Sequence, residues 1–291
     1  RLADKMFDQF SQIGFTDLQA FSFERGESRI RQLYDCYQSH SERKNIPTRR
    51  SNLLDACCYI SGASRGIGAE IAKSMAELDI NLVAHCKNEE NIKKLSSALT
   101  DNKSQFIPSF ADFSDLSELD RHCSWIAKHC PIVDFAFINA GVSLAPPVGG
   151  FAEGTVANWM QTYQVNVVAP WQIVRSLIQS SKIKRNGKFF FVSSSISGSL
   201  VESAYACSKA ALSKLVSDLS QTDFEGKFQF CSLDPGWVST DMGGKNAKHG
   251  VETLQPGMIF AALTTYSCNG SWISVQDYSA LSIDQAIQRA Y

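Results

Sequence analysis

Ile60-Ser61-Gly62-Ala63-Ser64-Arg65-Gly66-Ile67-Gly68 sets three glycines between an apolar run and a helix-forming run. Upstream, Cys57-Cys58-Tyr59-Ile60 reads as a short buried strand. Downstream, Ile67, Ile71, Met75 and Leu78 recur at helical spacing across 69–78. Glycine permits the tight turn and lets backbone N–H groups come close to a ligand. The first turn of the following helix adds unpaired donors and partial positive charge. Strand, glycine turn and helix in that order make a seat for a pyrophosphate. Without a ligand, the same glycines make only a loop.

The chain has 291 residues, room for one large α/β domain with an appendage or for two small domains. Hydrophobic content of 44% and charged content of 20% are those of a soluble globular protein. A net charge of −1 gives no whole-chain field to recruit nucleic acid or an anionic membrane. No apolar run is long enough to span a bilayer, and no secretory signal pattern is evident. The nine cysteines are odd in number and lack metal-type spacing. Cys57, Cys58, Cys86, Cys207 and Cys231 lie in apolar or helical surroundings and read as reduced core thiols, which points to the cytoplasm. The first residue is Arg1, as in a processed, truncated or partial polypeptide.

Residues 1–52 differ in character from the rest. Leu2, Met6, Phe7, Phe10 and Ile13 form an apolar stripe ending at Gly14, and Ile30, Leu33, Tyr34 and Tyr37 suggest a second amphipathic helix. Residues 39–52 are polar and basic around Pro47 and read as a linker. The domain expectation is therefore a helical extension over 1–52 and a catalytic domain over 53–291.

Beyond residue 53 the pattern alternates. Strands are expected at 81–86, 105–110, 133–139, 188–193, 229–234 and 270–275. Helices are expected at 89–99, 116–130, 157–180 and 204–219. Apolar strands separated by helices imply a parallel sheet covered on both faces. In such sheets ligands bind beyond the carboxyl ends of the strands. Asn139-Ala140-Gly141 follows one strand, and Ser193, Ser194 and Ser195 follow another. Asp234-Pro235-Gly236-Trp237-Val238-Ser239-Thr240 ends a third, and Tyr205 and Lys209 sit on a helix between the last two. Residues four apart on a helix share a face. An ammonium beside a phenol favours the phenolate and lowers the tyrosine pKa. As a surface pair, the same spacing would mean nothing.

From residue 57 to 281 the chain resembles the short-chain dehydrogenase/reductase family. The resemblance rests on the glycine turn, Asp112, Asn139-Ala140-Gly141, Asn166, the three serines, Tyr205-x-x-x-Lys209 and Pro235-Gly236-x-Val238-x-Thr240. It implies an α/β fold of Rossmann type, a doubly wound parallel sheet in three α/β/α layers. It implies that Tyr205 protonates the substrate oxygen. Lys209 would lower the tyrosine pKa and bond the nicotinamide ribose, and Asn166 would anchor a water linking Lys209 to solvent. A serine would polarise the carbonyl. The strand register favours Ser194 for that task, whereas counting back from Gly198 favours Ser195. Gly62, Ser64, Arg65, Gly66, Ile67 and Gly68 would hold the cofactor phosphates. Asp112 would take the adenine amino group, and Asn139, Ala140 and Gly141 would sit beside the cofactor. Pro235, Gly236, Val238 and Thr240 would meet the carboxamide end. Ser61 stands where the family usually has threonine, Ile138 where it often has a second asparagine, and the serine–tyrosine connection is short.

Charge separates the two nicotinamide cofactors. A carboxylate after the second strand binds the ribose 2′-OH in NAD-specific folds. Here that position reads Cys86-Lys87-Asn88, and Arg65 and Lys87 could both reach a 2′-phosphate. The expected cofactor is NADP(H), and the expected reaction is reduction of a small-molecule ketone or aldehyde. A ketoreductase acting on an acyl thioester and a catalytically silent nucleotide-binding regulator are the alternatives. Residues 241–263, with Met242, Met258, Ile259 and Phe260, are expected to form a lid over a partly apolar pocket. A homodimer or homotetramer is the expected assembly, with no nucleic-acid or membrane partner and no metal.

Overall fold

A computed structural model of the protein describes residues 53, 55–99, 104–144, 154–198 and 203–291. The expectations for 1–52 lie outside the described residues. Seven strands alternate with helices from Cys57 onward. Strand β1 (Cys57–Ile60) leads into α1 (Gly66–Ala76), and β2 (Asn81–Cys86) into α2 (Glu89–Ala98). Strand β3 (Phe106–Phe110) leads into α3 (Leu116–His129), and β4 (Val133–Ile138) precedes α4 (Val156–Tyr163) and α5 (Ala169–Gln179). Strand β5 (Ile183–Val192) precedes α6 (Ser203–Gln221), and β6 (Gln229–Asp234) precedes the short α7 (Gln255–Ile259). Strand β7 (Trp272–Ser274) and α8 (Ile283–Ala290) complete the described fold.

The sheet order is β3-β2-β1-β4-β5-β6-β7, and each neighbouring pair is parallel. Chain order therefore reverses between β1 and β4, and a crevice opens there beyond the strand ends. The strands are apolar because both faces are covered: Tyr59, Phe137, Phe189, Phe190, Phe191 and Phe230 are fully buried. Successive side chains point to opposite layers. Phe190 stacks on Phe137 with ring centroids 4.8 Å apart, while Phe189 stacks on Phe230 at 5.1 Å. At about 25 cal/mol per Å² of apolar surface, each ring contributes on the order of 3 kcal/mol to this core.

Four expectations need correction. The single helix expected at 157–180 is broken into α4 and α5 by a π turn over Gln164–Val168. Pro170 has no N–H, so the carbonyl of Asn166 lacks its ordinary donor four residues on, and the ladder shifts to a wider turn. Strand β5 begins at Ile183, five residues early, because Ile183 is buried and pairs with Val133 before an irregularity. Its continuous ladder with β4 starts at Lys188. Met258, Ile259 and Phe260 are buried in the core, whereas Met242 is exposed. Cys207 is exposed; the other four cysteines read as core thiols are buried.

Among the described residues, no helix is long and apolar enough to cross a membrane. No group of three His, Cys, Asp or Glu side chains among them could hold a metal ion.

Candidate active site

The glycine turn is shaped by contacts across the crevice. Gly62 and Gly66 have φ of 69° and 54°, backbone that side-chained residues rarely adopt. A Cβ on Gly62 would lie 3.0 Å from the Cα of Ala140. The Asn139 amide donates to the carbonyls of Ser61 and Gly62 at 3.0 and 3.1 Å. In return, the Ser61 hydroxyl accepts from the backbone N–H of Asn139 at 2.9 Å and of Ala140 at 3.0 Å. Serine thus supplies the oxygen for which the family usually uses threonine. Ser64 hydrogen-bonds the Cys86 thiol. Helix α1 begins at Gly66, so Gly66, Ile67 and Gly68 form its first turn, where backbone N–H groups point outward.

The loop after β6 closes on this turn. A Cβ on Gly66 would lie 3.1 Å from the Thr240 methyl. The Thr240 hydroxyl accepts from Gly243 N–H at 3.0 Å, and Val238 bridges His249. Gly236, at φ 71°, donates its N–H to the Asp234 carboxylate, and Gln276 donates to the carbonyl of Pro235 at 2.9 Å.

The second cluster surrounds Lys209. Lys209 is 4% exposed, and its ammonium donates to the carbonyl of Val192 at 2.8 Å and lies 5.5 Å from the centre of the Tyr205 ring. Burial pulls its pKa from 10.5 to about 8. A Cβ on Gly141 would lie 3.3 Å from Asn166 Oδ1 and 3.6 Å from Lys209 Nζ, so glycine lets the loop after β4 pass close by. Asn166 is fully buried in the π turn. Its side chain accepts from Val142 N–H at 2.8 Å and donates to the Val142 carbonyl and the Ser208 hydroxyl at 2.9 Å each. Ser208 donates onward to the carbonyl of Tyr205 at 2.7 Å. The side chain of Asn166 is thus a clamp on the loop after β4.

The serines divide by role. Ser193 is buried and shares a hydrogen bond with Ser213 at 3.1 Å. Ser194 is half-buried, with its hydroxyl accepting from Ile196 N–H at 3.3 Å. Ser195 is exposed, opens a 3-10 turn over Ser195–Gly198, and donates its N–H to Asp234 at 3.2 Å. That turn packs on α6, the helix carrying Tyr205.

The two cations expected at the 2′-phosphate each hold a carboxylate. Arg65 pairs with Asp241 at 2.7 Å and Lys87 with Asp112 at 2.7 Å. Burial opposes the charge on Asp112, but Lys87 and two bonds from Ser114 outweigh it and hold the carboxyl below its usual value. Three residues of this constellation escaped the sequence reading: His85, Ser208 and Gln276. Ser208 stands three residues after Tyr205 on the same helix, and His85 is the one polar interruption of an apolar strand; both signals were present.

The short chain dehydrogenase family profile matches residues 56–250. The (S)-benzoin-forming benzil reductase of Saccharomyces cerevisiae is 28% identical over 218 residues, 72% of this chain and 80% of that one. The 3-oxoacyl-(acyl-carrier-protein) reductase of Rickettsia felis is 27% identical over 202 residues, 67% of this chain and 77% of that one. A short chain dehydrogenase from Burkholderia cenocepacia, solved with NADP, superposes at a TM-score of 0.69 with 20% identity, covering 79% of this chain and all of that one.

Proposed function

The chain belongs to the short-chain dehydrogenases, a family of oxidoreductases, and we propose that it uses NADPH to reduce the carbonyl of a small molecule to an alcohol. The observation that carries this reading is the buried Lys209 ammonium beside the Tyr205 ring. A free phenol near pKa 10 must drop by about 2 units or more to exchange protons near neutral pH, which takes about 3 kcal/mol. The Lys209 ammonium beside the ring favours the phenolate and so lowers that cost.

The turn suits a dinucleotide phosphate. Its glycines stand where side chains would strike the opposite loop, and the helix start points its donors outward. When bound, NADPH supplies the hydride. Tyr205 gives its proton to the developing alkoxide, and Lys209 stabilises the phenolate left behind. Ser194 or Ser195, at the end of β5, polarises the carbonyl. Gly62, Ser64, Arg65, Gly66, Ile67 and Gly68 hold the phosphates, with Asn139, Ala140, Gly141, Pro235, Gly236, Val238 and Thr240 beside the nicotinamide half. The test is NADPH oxidation against a panel of ketones, aldehydes, quinones and acyl thioesters. No turnover on any carbonyl would sink the reading.

The pH dependence has a definite sign. Below about pH 8, Lys209 is charged and supports the phenolate; above it, the amine is neutral and that support goes. The kcat/KM for reduction should hold up to about pH 8 and then fall about tenfold per unit. A flat profile to pH 9.5 would show that the lysine charge is not used.

NADPH preference is expected to rest on Arg65 and Lys87. Their present partners are weak rivals, because exposed ion pairs contribute less than about 1 kcal/mol. A charged hydrogen bond to a phosphate contributes about 2 kcal/mol. Replacing both by alanine should therefore lower the NADPH-over-NADH preference by about 30-fold or more. An unchanged ratio of kcat/KM values would mean the 2′-phosphate is read elsewhere.

A further inference from the structure

His85 sits in β2, is 3% exposed, and bonds the loops that follow β1 and β3. Its Nδ1 accepts from the backbone N–H of Gly62 at 3.3 Å. That acceptor role puts the ring proton on Nε2, which donates to the carbonyl of Ala111 at 3.0 Å. The ring lies flat on Phe113, with centroids 4.0 Å apart and planes 4° off parallel. Behind it, the His122 ring stands 4.8 Å away and is bonded to the Tyr59 hydroxyl at 2.8 Å. One imidazole therefore ties the phosphate turn after β1 to the Asp112 loop after β3, and a wall of rings prevents it from swinging.

We propose that His85 is a positioning residue for the cofactor: it sets the glycine turn in its phosphate-binding shape and fixes the spacing of that turn from the loop carrying Asp112. The inference rests on the reading that this crevice binds a dinucleotide. Gly62 lies in a left-handed turn between β1 and α1, outside both, and the His85 ring takes its N–H. The Asn139 amide already holds the carbonyl side of Ser61 and Gly62, so His85 holds the N–H side. Burial keeps the imidazole neutral, with its pKa near 4, so Nδ1 remains an acceptor at any ordinary pH.

The experiment compares His85→Leu and His85→Asn with the native full chain. Leucine removes both bonds. Asparagine places an amide oxygen where Nδ1 lies and loses only the bond to Ala111. His85→Leu should raise the NADPH Kd and KM about tenfold, with kcat at saturating cofactor within twofold of native. His85→Asn should stay within fivefold of the native Kd. A role in stability alone would lower the melting temperature of both variants and leave the Kd unmoved, which overturns the inference. An Asn variant more than fivefold weaker than native also overturns it, and decides the matter by itself if the Leu variant does not fold. If the native chain binds neither NADPH nor NADH, the reading beneath the inference has failed, and the inference with it.

Discussion

Replacing Tyr205 by phenylalanine is expected to lower kcat about 10³-fold while leaving NADPH affinity within threefold. The substitution deletes one oxygen and keeps the ring that packs beside Lys209. A positioned proton donor contributes about 10²- to 10⁴-fold to such reactions. The hydroxyl is needed only when the carbonyl oxygen gathers charge, so its loss falls on kcat rather than on cofactor binding. Lys209 is also held by the carbonyl of Val192 and keeps its place without the phenol. Steady-state kinetics and a fluorescence titration with NADPH check the two halves separately. Native turnover in the variant would mean that the proton comes from another group. Lost cofactor affinity would mean that the hydroxyl helps to hold the cofactor as well as to move the proton.

Gly68→Ala should weaken NADPH binding more than 100-fold and destabilise the fold by about 3 kcal/mol. Two effects compete here. Alanine is favoured over glycine within a helix by about 1 kcal/mol, and Gly68 lies in the first turn of α1. Against that, the added Cβ would lie 2.1 Å from the Gly62 carbonyl oxygen and 2.5 Å from the Asn139 amide. Neither can retreat: that carbonyl accepts from the same amide, and Gly62 is tied on its other side to His85. Overpacking of this kind costs about 1–3 kcal/mol, and more against backbone. Relief would come by lifting α1 away from the turn, which separates the helix N-terminus from the phosphates it is to hold. Thermal melts and the same NADPH titration decide the sign. A variant with a higher melting temperature and native affinity would show that helix propensity wins, and that the turn is looser than its contacts indicate.

Much of the site could be read in advance because its chemistry is local. Gly62 and Gly66 are where the chain needs left-handed backbone, and Tyr205 and Lys209 share a helix face by spacing alone. Other features were invisible because they are relations between distant segments. The resemblance names Asn166, but the hold of its side chain on Val142 and Ser208 shows only once those segments meet. Met258, Ile259 and Phe260 read equally well as pocket wall or core, since periodicity records that a face is apolar and not what covers it. The break in the long helix was half-visible, because Pro170 announces a missing hydrogen bond and does not say whether a kink or a wider turn absorbs it. Arg65 and Lys87 showed their charge; their partners Asp241 and Asp112 lie 176 and 25 residues away.

Strand and helix type, the glycine turn and the pairing of phenol with amine all follow from residues within a few positions of one another, so the amino-acid order alone determines them. Which loops meet at the rim is a different matter. Strand order 3-2-1-4-5-6-7 brings Asn139 to Ser61, Thr240 to Gly66, and His85 between Gly62 and Ala111. Those meetings depend on burying both faces of one sheet, a long-range demand that no stretch of the chain carries by itself.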